Sequence, residues 1–504
     1  MMMNLYHSQR TLFLSCIIVS FAMPTAVRAQ QSRGDYEDIP GLPDTPAGNR
    51  VREVIEVVNA NEAEKVRTLV NSAFSQEFRD FAPMEQHIDV FSHTYNSTGG
   101  LDFHAIRHYK DPAPETEIVA IVKTRRTEMW RAIVLNIEPK PPHRISGLQF
   151  APARPPSNLP KPGKLSPDQL VTELEAFLNK LTAADAFSGS VLLAKNGEVL
   201  FKKAYGLASK RFNVPNRVDT KFNLGSMNKM FTGVAVAQLA QRGKLSLDDP
   251  VSKYLSTDWL PREVADKIQI KHLLTHTSGL GSYFSDEFMN ASRTRFRDID
   301  DYKPLISTET LAFEPGTDWQ YSNSGMFLAG VIVEKASGMG YHEYIRKFVT
   351  GPAGMTNTDC YQMDEPVPNL AIGYSRDSSR ETGWTNNIFK HVVRGGPAGG
   401  GFSTVEDLLK FDIALRSHKL LNAESTELVW TAKPELGSPN YGFGFGVRGT
   451  SDDRIVGHSG GFPGISSNLD MFLDSGYTVA VMANYDGVAS DVSQKIRELL
   501  GRLE

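Results

Sequence analysis

Ser226 and Lys229 stand three positions apart in the run Asn223-Leu224-Gly225-Ser226-Met227-Asn228-Lys229-Met230-Phe231. A serine alcohol is a weak nucleophile until a base takes its proton, and a lysine removed from water holds its own proton less tightly and becomes such a base. Residues i and i+3 share one helix face, so Oγ and the amine can meet if the segment is helical. A second pair, Tyr321 and Asn323, lies in Trp319-Gln320-Tyr321-Ser322-Asn323-Ser324-Gly325. A tyrosinate held beside a lysine ammonium can accept the serine proton and deliver it to a leaving group, while the Asn323 amide can bond both the lysine and a substrate amide. The third string is Gly457-His458-Ser459-Gly460-Gly461. Its glycines let a strand backbone approach a substrate, and the Gly461 N–H with the Ser226 N–H can form an oxyanion site.

Each string alone has an ordinary reading. S-x-x-K is common on solvated helix surfaces, and Tyr-Ser-Asn before an apolar run fits an N-cap. Gly457–Gly461 also fits the G-x-S-x-G nucleophile elbow, but that motif needs a helix directly after it and a histidine later in the chain. Here Phe462-Pro463-Gly464 follows, and no histidine comes after His458. The elbow is excluded.

The elements that must position these residues are legible as patterns. Apolar residues at Met230, Phe231, Val234, Ala237 and Ala240 keep a helical period until Gly243 stops it. A helix over Asp168–Leu181 opens the large domain, 168–504, and Ser190–Ala194 and Val199–Lys203 read as strands joined at Asn196-Gly197, a hairpin signal. Residues 206–440 read as helical with long loops. Strand composition returns at Tyr441–Val447, Arg454–His458, Leu469–Leu473 and Tyr477–Ala483, before a last helix over Val492–Leu500. Strands at both ends with helices between them imply one sheet assembled from distant parts, with helices packed on it.

Upstream, the six prolines of residues 151–167 make a stiff spacer. In 48–150, helical spacing at Val51, Val54, Ile55 and Val58 and again at Ala63, Val66, Leu69, Val70 and Ala73 precedes strand-like Glu117–Lys123, Trp130–Ile137 and Ile145–Phe150. This order gives a small α+β domain and resembles NTF2-like or cystatin-like domains. His87, His93, His104 and His108 fall there without acids at ligand spacing and read as surface or core residues. Residues 30–47 are polar and rich in Pro and Gly, a disordered lead-in.

The 504 residues are 40% hydrophobic and 22% charged with a net charge of -4, which is globular composition and carries no basic footprint for nucleic acid. Residues 1–29 read as a secretory signal peptide: Arg10, an apolar run from Leu12 to Met23, then Ala26-Val27-Arg28-Ala29. The run is short for a membrane span, so a periplasmic or secreted location is expected, with a retained anchor as the alternative. Cys16 lies inside that run in a poor lipidation context. After signal removal only Cys360 remains, so neither an intrachain disulfide nor a cysteine metal site is expected, and a lone buried cysteine reads as inert packing.

Taken in order, Ser226-x-x-Lys229, Tyr321-x-Asn323 and His458-x-Gly460 resemble the three motifs of the serine β-lactamase and penicillin-binding-protein superfamily, in its class C and esterase branch. Ile270-Lys271-His272-Leu273-Leu274-Thr275-His276-Thr277-Ser278-Gly279-Leu280, Gly316, and Ala398-Gly399-Gly400-Gly401-Phe402-Ser403-Thr404 are similar to further strings of that branch. The resemblance covers about 168–504 and implies a β-lactamase-like fold, an antiparallel sheet flanked by helices with an all-helical region. It implies an acylated nucleophile at Ser226, activated by Lys229, with Tyr321 as general base and Asn323, His458, Gly460 and Gly461 binding substrate. No metal or organic cofactor is implied, and His276 is expected to shape a loop. True β-lactamases of this branch usually have lysine where His458 stands, a cation for the β-lactam carboxylate. A histidine is largely neutral at pH 7, which favours ester or peptide-like amide substrates, of the esterase or D-amino-acid peptidase type. The alternatives are a β-lactamase and a penicillin-binding or sensor protein with little turnover.

Overall fold

The computed structural model describes residues 34–110, 114, 116–449 and 453–504; the signal-peptide segment 1–29, with Cys16, lies outside them. The chain divides into two compact units. One runs through Lys164 and includes Arg376–Gly383 and Glu504; the other comprises Leu165–Ser375 and Trp384–Leu503.

In the first unit the elements are β1 (Tyr36–Pro40), α1 (Pro46–Ala60), α2 (Ala63–Ala73), α3 (Gln76–Asp80), α4 (Met84–Thr98), β2 (Leu101–Tyr109), β3 (Glu117–Thr124), β4 (Trp130–Ile137) and β5 (Ile145–Pro152). The strands form one five-stranded sheet in the order β1-β2-β3-β4-β5, antiparallel throughout. Val51, Val54 and Val58 of α1 and Val66, Leu69 and Val70 of α2 are buried in one core with Ile133 and Leu135 of β4. Asn61, left-handed at φ 52, ends α1 and makes the break between the two helices. The lead-in expectation for 30–47 needs correction over Tyr36–Pro40, which pairs with β2 from Tyr36↔Tyr109 to Pro40↔Ala105. Composition misses this strand because a long-range ion pair holds it. Asp38 accepts from Arg107 Nε and Nη2 at 2.9 Å each, and its own N–H donates to Ser157 Oγ at 2.8 Å. β5 likewise runs two residues into the segment read as spacer, ending at Pro152.

The second unit contains α5 (Pro167–Ala183), β6 (Gly189–Lys195), β7 (Glu198–Tyr205), β8 (Phe222–Asn223), α6 (Asn228–Gln241), α7 (Ile270–Thr275), α8 (Asn323–Ser337), β9 (Phe402–Ser403), α9 (Val405–Arg416), β10 (Gly446–Arg448), β11 (Ile455–Phe462), β12 (Ile465–Phe472), β13 (Tyr477–Ala483) and α10 (Val488–Leu500). Its main sheet has six strands in the order β10-β11-β12-β13-β6-β7. The join is antiparallel, from Tyr477↔Lys195 to Ala483↔Gly189, so the two ends of the unit share one sheet. Asn196 and Gly197 turn the β6–β7 hairpin with φ of 52 and 83, the positive values that a type I′ turn needs.

Every residue of β12 and β13 is buried, because helices cover both faces of the sheet. Leu170, Leu174 and Leu178 of α5 and Val492 and Ile496 of α10 share a core with Val479 and Val481. Phe231 and Val234 of α6 and Leu408 and Phe411 of α9 share the other core with Leu469 and Ala480. The expected strand over Tyr441–Val447 shrinks to Gly446–Arg448. The reason is close packing on α6: a Cβ on Gly233 would sit 2.0 Å from the Phe443 carbonyl oxygen, and Gly444, at φ +83, lies against the Lys229 carbonyl. A segment pressed on a helix in this way cannot keep a sheet register.

Candidate active site

Ser226 lies in a single 3₁₀ turn, Gly225–Met227, that feeds directly into α6. Twelve of the 14 residues of α6 are buried, so this helix is a central core element and its start is fixed by its surroundings. The turn is clamped from both sides. Leu224 N donates to the Gly401 carbonyl at 2.7 Å, Gly400 N to the Gly225 carbonyl at 3.2 Å, and Gly401 N to Asn228 Oδ1 at 3.1 Å, so the 396–401 loop grips the turn. On the sheet side, Ser467 Oγ donates to the Leu224 carbonyl at 2.7 Å. Gly225 has φ +50, and a Cβ there would come within 2.9 Å of Gly460 Cα and of Gly461 N. A Cβ on Gly460 would come within 1.9 Å of the Leu224 oxygen, whereas Gly461 faces open space. Gly460 is thus the point where the strand touches the nucleophile turn, and Gly461 brings its N–H beside that turn.

Lys229 is completely buried. Its Nζ donates to Asn323 Oδ1 at 2.9 Å and to the Ala398 carbonyl at 2.6 Å, two neutral acceptors. Burial pushes its pKa well below the ordinary lysine value. The amine lies 4.8 Å from the centroid of the Tyr321 ring. Burial raises the Tyr321 hydroxyl, and a hydrogen bond with Ser226 opposes that rise in part. Burial thus favours the uncharged form of both groups, the amine and the phenol. Asn323 completes its amide by donating from Nδ2 to Ser282 Oγ at 3.1 Å. Ser322, between Tyr321 and Asn323, caps α8: its Oγ accepts from Gly325 N at 2.8 Å and donates to the Gly281 carbonyl at 2.8 Å. The N-cap reading and the chemical reading of this string hold together, because the cap fixes the two residues that flank it.

His458 forms the opposite wall on β11. Its Nδ1 lies 2.5 Å from the Ser459 carbonyl oxygen and its Nε2 lies 2.8 Å from the Tyr441 hydroxyl. Burial, with the nearby Lys229 and Arg448 adding to it, pushes its pKa down to about 3, against a small opposing effect of the Ser459 carbonyl. His276 is fully buried behind the site, at φ 62 where α7 ends. Its Nδ1 accepts from Ser322 N at 3.1 Å, its carbonyl accepts from Gln320 N at 3.0 Å, and its ring lies 4.3 Å from that of Tyr321 and 4.6 Å from that of Tyr441. It holds the backbone on either side of Tyr321.

The structure thus gathers Ser226, Lys229, Tyr321, Asn323, His458, Gly460 and Gly461 around one place. Residue types did not single out Ala398, Ser282, Tyr441 or Glu309, the last of which accepts from Gly281 N at 2.7 Å and from Ser324 Oγ. The glycine-rich string after Ala398 and the Tyr441-Gly442-Phe443-Gly444 run are the signals that point to the first and third. Cys360 is buried, its thiol pushed up to about 12 chiefly by burial, so it is no nucleophile. Among the described residues no three His, Cys, Asp or Glu side chains gather where a metal could be held, and no helix is long and apolar enough to cross a membrane.

Comparison with known proteins adds four findings. A sequence model of the family described as Beta-lactamase matches residues 168–502. Penicillin-binding protein 4* of Bacillus subtilis (strain 168) is 32% identical over 328 residues, covering 62% of this chain and 71% of that protein. Among solved structures, the penicillin binding protein from Bacillus halodurans aligns with TM-score 0.57 at 29% identity, over 67% of this chain and 99% of that one. A D-stereospecific amidohydrolase from Streptomyces sp. aligns with TM-score 0.52 at 27% identity, over 65% of this chain and 96% of that one.

Proposed function

The chain belongs to the Beta-lactamase family and is a serine hydrolase of that family, and from this premise we propose that it is an exported enzyme that cleaves esters or peptide-like amides through an acyl-enzyme on Ser226. The observation that carries the reading is the environment of Lys229. A neutral amine has two N–H donors and one lone pair; Asn323 Oδ1 and the Ala398 carbonyl engage two donors, which leaves a lone pair for the Ser226 proton. In acylation Lys229 takes that proton as Oγ attacks the carbonyl carbon, and the Tyr321 hydroxyl protonates the leaving group. The N–H groups of Ser226 and Gly461 receive the developing oxyanion. The pair now stands as ammonium and phenolate. In deacylation the phenolate takes a proton from the attacking water, and the ammonium returns its proton to Ser226 Oγ as the acyl bond breaks. Both groups end as they began.

On the substrate side, the reading draws on the neutral His458 and on the likeness to a D-stereospecific amidohydrolase. The test is hydrolysis of phenyl acetate and of short D-amino-acid amides by the mature chain, with a fluorophosphonate probe to mark the nucleophile. Turnover and labelling are expected in the wild type and in neither assay after Ser226→Ala; turnover that survives the change sinks the assignment. Export is tested by Edman sequencing of chain recovered from culture fractions, with a start at Gln30 expected. The likeness to penicillin-binding proteins favours a second reading, slow covalent capture of a β-lactam. Intact mass spectrometry after penicillin treatment decides it: a persistent one-to-one adduct without cephalosporin turnover supports capture.

A further inference from the structure

The two ring nitrogens of His458 are both engaged inside the protein. The protonation pattern follows from the acceptors. The Ser459 oxygen is a carbonyl and can only accept, so His458 Nδ1 carries the proton and Nε2 offers its lone pair to the Tyr441 hydroxyl, which must donate. Tyr441 has no choice in this. The hydroxyl belongs to a buried side chain, and the neighbouring imidazole, His276, spends its Nδ1 lone pair on the Ser322 N–H, so its Nε2 bears hydrogen and cannot accept. That Nε2–H has no partner in the protein. The Ser322 N–H thus sets the tautomer of His276, and the Ser459 carbonyl sets that of His458. The charged and titratable groups facing His458 work in the same direction: Lys229 on α6, Arg448 on β10, and His276, Tyr321 and Tyr441 around it supply no carboxylate.

We propose that Tyr441 is a specificity-setting positioning residue: its hydroxyl occupies the Nε2 lone pair of a His458 whose Nδ1–H points to the Ser459 carbonyl, which leaves the ring no free donor, so the far wall rejects a leaving group that carries a carboxylate and accepts an uncharged one. This rests on the hydrolase reading above and adds to it the residue that selects the leaving group. Protonating His458 would turn Nε2 into a donor and strand the Tyr441 proton, so the hydroxyl adds to burial in holding the ring neutral.

The test has one spectroscopic and one kinetic arm, both on the mature chain. In 15N-histidine-labelled wild type, the His458 ring is expected to show a protonated Nδ1 and a bare Nε2, unchanged between about pH 5 and 8, where an ordinary histidine titrates. A bare Nδ1, or titration in that range, overturns the proposal whatever the enzyme's activity. In Tyr441→Phe the same ring is expected to begin to titrate there. For kinetics, phenyl acetate is compared with 3-carboxyphenyl acetate, which differ only by a carboxylate on the leaving group. The wild-type ratio of kcat/KM should favour the uncharged ester by about tenfold or more, and Tyr441→Phe at low pH and His458→Lys at all pH should each move the ratio towards the carboxylate by a similar factor, through KM. An unmoved ratio in Tyr441→Phe overturns the proposal while Ser226-dependent turnover leaves the hydrolase reading standing; absence of fluorophosphonate labelling and turnover in the wild type condemns that reading instead, and the 15N result still decides the tautomer.

Discussion

Arg107 and Lys229 are both shut away from water, and they are held in opposite ways. In the first unit Arg107, 2% exposed, faces Asp38, 0% exposed, in a two-pronged ion pair, and adds a bond to the Arg154 carbonyl. In the second, Lys229 is equally buried but meets only an amide oxygen and a carbonyl. A guanidinium cannot shed its charge, so burying it demands a carboxylate. An amine can, and burial without a carboxylate drives it to the neutral form. The first arrangement ties a short edge strand into a sheet; the second suits the role of base proposed for Lys229. Burial alone does not say which of these a cation will do. Its counter-charge does.

The comparison can be broken most forcefully at Lys229. Lys229→Met should cut kcat/KM for phenyl acetate by about 10³-fold or more, since the activating base is gone. Its cost in folding free energy should stay within about 1–3 kcal/mol, the penalty for leaving two acceptors without a donor, as read from urea unfolding. Arg107→Met should do the reverse and strand a buried carboxylate, for a loss of about 3–5 kcal/mol in the first unit. Hydrogen exchange in the β1 and β2 peptides reports it, and adding Asp38→Leu should recover most of the loss. If the double variant exchanges as fast as the single one, the ion pair is not what holds β1.

A smaller effect sharpens the contrast through pH. The folded-state pKa of Lys229 is depressed, so below the unfolded value the unfolded chain binds a proton that the folded chain refuses. Stability from this residue is full above that unfolded value and falls as pH drops towards the folded one, by about 1.4 kcal/mol per pH unit at most. The urea-midpoint difference between wild type and Lys229→Met should therefore shift in favour of the wild type from pH 7 to 9. Turnover of an uncharged ester should fall on the acid side as Lys229 takes up its proton. The mildest test moves the serine without touching any charge. Gly225→Ala, strained at φ +50 and 2.9 Å from Gly460 Cα, should cost about 1–3 kcal/mol and lower kcat with little change in the acid limb.

Much of this was legible because the reacting groups have distinctive types. Ser226, Lys229, Tyr321, Asn323 and His458 announce themselves by chemistry and order, and the period of α6 showed how the first two are carried. What stayed hidden acts through common groups. Ala398 holds Lys229 by a backbone carbonyl that every residue has, and Ser282 and Tyr441 act by hydroxyls whose partners lie far off in sequence. The protonation of the Lys229–Tyr321 pair is not legible from residue type, because burial pushes both groups towards their uncharged forms. In the first unit α1, α2, β3 and β4 follow their patterns. β1 does not, since its stability comes from Arg107, and β2 hides because a bulge between Phe103 and Ala105 spoils its alternation.

The bond from Ser467 Oγ to the Leu224 carbonyl joins residues 243 apart. The turn bearing Ser226 is thus braced by a strand residue synthesised 243 positions after the one it holds. Contacts of such long sequence separation form late in folding, after the costly loop between them has closed. Until β11 and β12 dock, Gly461 is absent from the turn and the serine remains an ordinary alcohol. Fluorophosphonate labelling of Ser226 is therefore expected only after β11 and β12 have docked on the turn, which pulse-labelling during refolding would read.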